Sequence, residues 1–97
     1  MKNIFLPLQR IIILQGLEQA AGRELSNEMI QRLLKVHSHR CSIAEVNEQI
    51  AWLENRGYVT AARMGDSGFI NVHITRAGID VANGYARAEG IDPPPQE

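Results

Sequence analysis

The sequence predicts a small α+β domain: three helices, then a β-hairpin, then a closing helix. Three observations carry this. Apolar residues recur at helical spacing over three stretches before residue 57; the pattern then switches to two short β-prone runs around a glycine-containing tip; and the helical stretches carry their own start or stop signals. With 97 residues, the chain has enough surface to bury for one core and not for two.

The first helical stretch runs from about Pro7 to Ala21. Pro7 suits a first turn, where its missing amide costs nothing, and Gly22 stops the element. At about 100° per residue it carries two apolar faces, Ile13, Leu14, Leu17, Ala20 and Ala21 on one, and Leu8, Ile11 and Ile12 on the other. One face suffices for the core of a small domain. The second, with Ile4, Phe5 and Leu6, is therefore expected to meet a second chain, and Ile4, Phe5, Leu8, Ile11 and Ile12 are the candidate homodimer interface. The alternative is an amino-terminal arm folded back over Leu8 and Ile12.

Arg23 to Leu25 reads as a short extended segment before Ser26, whose hydroxyl can cap a second helix with core stripe Met29, Ile30, Leu33, Leu34 and Val36. His37 to Cys41 is a turn. Ser42-Ile43-Ala44-Glu45 is a capping box that opens helix three, whose stripe is Ile43, Val46, Ile50 and Leu53 and which closes at Asn55-Arg56-Gly57. Residues 58–63 and 69–74 form an antiparallel hairpin about Met64-Gly65-Asp66-Ser67-Gly68. Thr75 can cap a last helix from Arg76 to about Ala88, with Ile79, Ala82 and Tyr85 facing inward. The expected organisation is one domain over 1–90 and a flexible proline-rich tail over 91–97.

Helix, short strand, helix, turn, helix, hairpin, helix is the order of a winged helix-turn-helix domain. Leu53-Glu54-Asn55-Arg56-Gly57-Tyr58-Val59 resembles the helix-to-wing junction of many winged-helix regulators, and Ile74-Thr75-Arg76-Ala77-Gly78 the exit from the wing. The stretch from Thr75 to Gly84 (TRAGIDVANG), the following Ala86-Arg87-Ala88-Glu89-Gly90-Ile91, and His39, Ser42 and Ala51-Trp52-Leu53 resemble a small family of winged-helix proteins encoded by Mu-like phages and prophages near the terminase genes. That resemblance covers nearly the whole chain. It implies a fold and a genomic setting in place of an activity, and the bacterial cytoplasm as the site of action.

Composition narrows the chemistry. Ten Lys and Arg against eleven Asp and Glu give a net charge of -1, so no bulk field draws in a polyanion, although residues 1–63 hold eight basic and six acidic side chains. One cysteine excludes a disulfide framework. The longest strictly apolar run, Ile11 to Leu14, is far short of the roughly 20 residues a bilayer span needs. No nucleophile motif, phosphate loop or paired catalytic carboxylate stands out, and the expectation is a non-enzyme without a cofactor. His37, His39 and Cys41 alternate as metal donors would; the competing reading makes Cys41 a buried small hydrophobe and both histidines solvent-facing.

If the domain reads duplex DNA, helix three enters the major groove while basic side chains around it neutralise phosphates. The candidates are Lys35 and Arg40 on the flank, Ser42 and Asn47 as polar contacts, Glu48 as an acceptor for cytosine, and Arg63 at the end of the first wing strand. Five of them have a plainer role: a solvated helix end for Lys35 and Arg40, a cap for Ser42, a surface position for Asn47, a solubilising edge charge for Arg63. Helix three itself is acidic, with Glu45, Glu48 and Glu54 against Arg56. Trp52 points away from the helix-three stripe and is expected either beneath the hairpin or in a protein interface. The two functions in view are a dimeric DNA-binding protein, such as a transcriptional regulator, and an adaptor that docks another phage protein, for example of the packaging machinery.

Overall fold

The structure, a computed structural model, describes residues 3–95; residues 1, 2, 96 and 97, the outer ends of the 1–90 and 91–97 segments, lie outside the described residues. The elements are α1 (Leu6–Gln19), a 3-10 turn (Ala21–Arg23), β1 (Glu24–Ser26), α2 (Asn27–Val36), α3 (Ile43–Asn55), β2 (Val59–Arg63), β3 (Ile70–Ile74) and α4 (Arg76–Ala82).

Local signals set the helix starts. The Ser26 side chain accepts from the Met29 amide, Thr75 Oγ1 accepts from the Gly78 amide, and the box at α3 closes in both directions, Glu45 N–H to Ser42 Oγ at 3.1 Å and Ser42 N–H to Glu45 Oε1 at 2.9 Å. The three strands form one antiparallel sheet in the order β1-β3-β2, with Leu25 opposite Val72 and Val59 opposite Ile74. Alternation along β3 turns Ile70, Val72 and Ile74 into the core and leaves His73 outside. The helices close over that face, with Ile13, Leu14, Leu17, Ile30, Leu34, Val46, Ile50 and Leu53 in one cluster with the strand residues.

Several expectations are corrected. The second face of α1 is not left for another chain: Ile11 is 1% and Ile12 8% exposed, Leu8 is half-buried, and Ile11 and Ile12 belong to the same core cluster as Val81, Ala82 and Ile91. The cover is α4 and the segment after it, so the fold-back lies at the carboxyl end. Only Ile4 and Phe5 of the proposed seam stay exposed. Residues 91–95 are not free either: Ile91 is buried, and the Asp92 amide donates to the Pro7 carbonyl at 3.1 Å. Helix four is shorter than expected, because Gly84 takes φ 81° and the Tyr85 and Ala86 amides turn back to the Asp80 carbonyl, which leaves Tyr85 exposed. Met29, Val36 and Ile43 are likewise exposed, so the core stripes of α2 and α3 are narrower than their apolar residues suggest. Among the described residues, no helix is long and apolar enough to cross a membrane.

Candidate nucleic-acid interface

Helix α3 buries Val46, Gln49, Ile50 and Leu53 and exposes Ala44, Glu48, Ala51 and Asn55. At helical spacing these four exposed residues form one outward strip, with Asn47 and Glu54 on one flank and Glu45 and Trp52 on the other. The strip offers one carboxylate, one carboxamide and two methyl groups, and no cation.

Cations lie beside it. Arg32, Lys35 and Arg40 are exposed and, with Gln31 and Cys41, border an open depression of about 460 Å³ between α2 and the turn that leads into α3. The Gln31 amide donates to the Cys41 carbonyl at 2.9 Å and ties that turn to α2. Among the described residues the one ion pair is Arg63–Glu54, so none of these three cations has a carboxylate within bridging distance. Lys35 and Arg40 are candidates from the sequence; the structure sets beside them Arg32, which is one helical turn before Lys35 and so shares its face.

Arg63 is paired with a carboxylate. Its guanidinium donates to both Glu54 oxygens, at 3.0 and 3.4 Å, and joins the first wing strand to α3. Both side chains are exposed, so the fork braces the hairpin only weakly and leaves Arg63 in solvent. Ser42 spends its hydroxyl on the cap of α3, and Glu48 stands exposed without a partner. Asn47 is half-buried, and its Oδ1 accepts from Asn27 Nδ2 at 3.0 Å.

Trp52 is half-buried, and its ring is flanked by two guanidinium groups and the chain at Gly90. The Arg10 guanidinium stacks 3.7 Å and the Arg56 guanidinium 4.4 Å from its ring centroid, and the chain at Gly90 lies so close that a Cβ there would come within 2.9 Å of Trp52 Cζ2. Arg10 also donates to Gln49 Oε1 and to the Gly90 carbonyl, both at 2.9 Å. Burial, and then the charge of Arg56, pull the Arg10 guanidinium down from its ordinary pKa. Arg10 thereby fastens the carboxyl-terminal segment to α1 and α3, a role with no local sequence cue.

The three alternating donors do not converge. His37 Nδ1 faces the Leu33 carbonyl at 3.0 Å, whereas His39 is half-buried, takes a hydrogen bond from Gln9 Nε2 at 3.2 Å and meets the Phe5 ring edge-on at 5.9 Å. Burial first, and Glu45 second, push the Cys41 thiol up from its ordinary pKa. Near neutral pH Cys41 should therefore react with a maleimide several-fold more slowly in the folded protein than in denaturant. Equal rates in a thiol-labelling time course would show it to be open and unshifted.

A β-hairpin wing in a three-stranded antiparallel sheet, behind the capped helix α3 on a helical core, is the winged-helix architecture. The solved complex structure of hsRosR-S1 superposes with a TM-score of 0.63 at 18% identity over 78% of this chain and 64% of that one. The hsRosR-S4 complex gives 0.63 at 19% over 78% and 63%. The chain thus spans slightly less than two thirds of those longer chains. In sequence it is 34% identical over 86 residues to the uncharacterised protein gp26 of Escherichia phage Mu, covering 89% of this chain and 86% of that protein. The chain belongs to the family of phage Mu gp26. No protein-family model matches it.

Proposed function

We propose that this chain is a non-enzymatic winged-helix protein that binds duplex DNA, gripping phosphates with Arg32, Lys35 and Arg40 while α3 addresses the major groove. The observation that carries the reading is the cluster of three exposed cations, none paired to a carboxylate, beside the amino-terminal end of α3. A single unpaired surface charge is commonplace; three around one depression next to a probe helix form an electrostatic footprint despite the net charge of -1. The acidic and small residues on α3 limit base contacts, so affinity rests on the backbone and falls steeply with salt. A homodimer joined through the exposed Ile4 and Phe5 would double the footprint.

The test is a salt titration of binding to random duplex DNA. Arg32, Lys35 and Arg40 replaced together by Ala should flatten the slope of log affinity against log salt by about 3 per protomer. An unchanged slope, or no affinity of the unaltered protein at low salt, overturns the proposal. The second reading, a docking adaptor, is favoured by the wing tip: Met64 is 60% and Phe69 41% exposed, and the tip between them carries Asp66 and no cation. Such a tip suits a protein surface better than a phosphate-lined groove.

A further inference from the structure

Asn27 is a polar side chain at 1% exposure, wedged where α2, α3 and the wing meet. The Ile70 amide donates to its Oδ1 at 3.2 Å, and its Nδ2 donates to the Gly68 carbonyl and to Asn47 Oδ1, both at 3.0 Å. A backbone amide can only donate and a backbone carbonyl can only accept, so these two neighbours fix which end of the Asn27 carboxamide is which. Polarity then passes on. The Asn27 amine must meet an acceptor on Asn47, which turns the Asn47 oxygen inward and its NH2 outward. Among the described residues no buried side-chain nitrogen or oxygen lacks a partner, so Asn47 Nδ2, which has none, reaches solvent.

We infer that Asn47 is a specificity-determining residue on α3, held by the positioning residue Asn27 as a donor-only group that selects acceptor edges, guanine O6 and N7, over adenine. This inference rests on the DNA-binding reading above. An unrestrained Asn pairs with adenine by donating to N7 and accepting from the N6 amine. Here the acceptor oxygen is turned inward onto Asn27 and only the NH2 faces outward, toward which guanine presents two acceptors. Asn27 also contacts Gly68 and Ile70, so the setting of Asn47 and that of the wing are fixed by one side chain.

Selection from a randomised duplex pool tests it. The unaltered protein should prefer guanine to adenine at one position by roughly three- to tenfold, the worth of one or two hydrogen bonds. Asn47→Asp keeps an oxygen for Asn27 but turns an acceptor outward, so the preference should pass to cytosine or adenine, whose amines donate. A purely structural Asn47 would leave the base order unchanged in that variant, and that result overturns the inference. Should the added carboxylate abolish binding, Asn47→Ala decides: loss of the guanine preference supports the inference and its retention overturns it. If the unaltered protein binds no duplex at low salt, the DNA-binding reading itself fails and the inference falls with it, whereas binding with no preference that depends on Asn47 overturns the inference alone.

Discussion

Ile12→Glu should unfold the protein or bring it to the edge of unfolding. Ile12 is 8% exposed in the core cluster that includes Val81, Ala82 and Ile91, and a carboxylate there has no cation among the partners in that cluster. Loss of the buried side chain together with burial of a charge costs about 4 kcal/mol or more, against a total stability of roughly 5–15 kcal/mol for a domain of ordinary robustness. Circular dichroism during heating is the measurement. A melting curve like that of the unaltered protein would mean that α4 and residues 90–92 do not cover this face. The paired control is Ile4→Asp with Phe5→Asp. Both positions are exposed, so the melting curve should barely move; if the protein pairs through them, light scattering should give the variant a lower mass than the unaltered protein. The two variants separate folding from association.

What could be read in the sequence was what a helix or hairpin decides within a few residues. The box at Ser42 and Glu45, the caps at Ser26 and Thr75 and the paired runs on either side of residues 64–68 all depend on neighbours close along the chain, and all are present. The second face of α1 could not be read, because its cover arrives some seventy residues later: a short helix stopped by Gly84 and a strap held by Arg10 and Pro7. Counting apolar faces on one helix ignores how much a later tail can bury. The site divides the same way. Lys35 and Arg40 are candidates from charge and position alone, but the Arg63–Glu54 fork depends on how the first wing strand packs against the end of α3. Asn27 gave no signal at all, since an Asn just after a Ser cap is an ordinary helix opening until the wing closes over it.

Gly78→Ala sets two effects of opposite sign against each other, and the structure decides between them. Gly78 lies in the first turn of α4, where Ala would gain up to about 1 kcal/mol of helix propensity. A Cβ there would overlap the Tyr58 carbonyl oxygen and come within 2.7 Å of Ile74 Cγ1. That carbonyl cannot simply swing away. It accepts the Thr75 amide at 3.0 Å, and Thr75 Oγ1 donates to the Gly57 carbonyl at 2.7 Å, so the exit of the hairpin is stapled to its beginning. Forcing a methyl group into such a junction costs about 1–3 kcal/mol and occasionally more, which outweighs the propensity gain. The expected net result is a loss of about 1–2 kcal/mol, a fall in melting temperature of several degrees for a domain of this size. Because the overlap falls at the root of β2, hydrogen exchange should quicken first at the amides joining residues 58–63 to 70–74, before it does in α1. A stabilised Gly78→Ala protein would show that α4 stands off the wing, and that the wing is not anchored at its root.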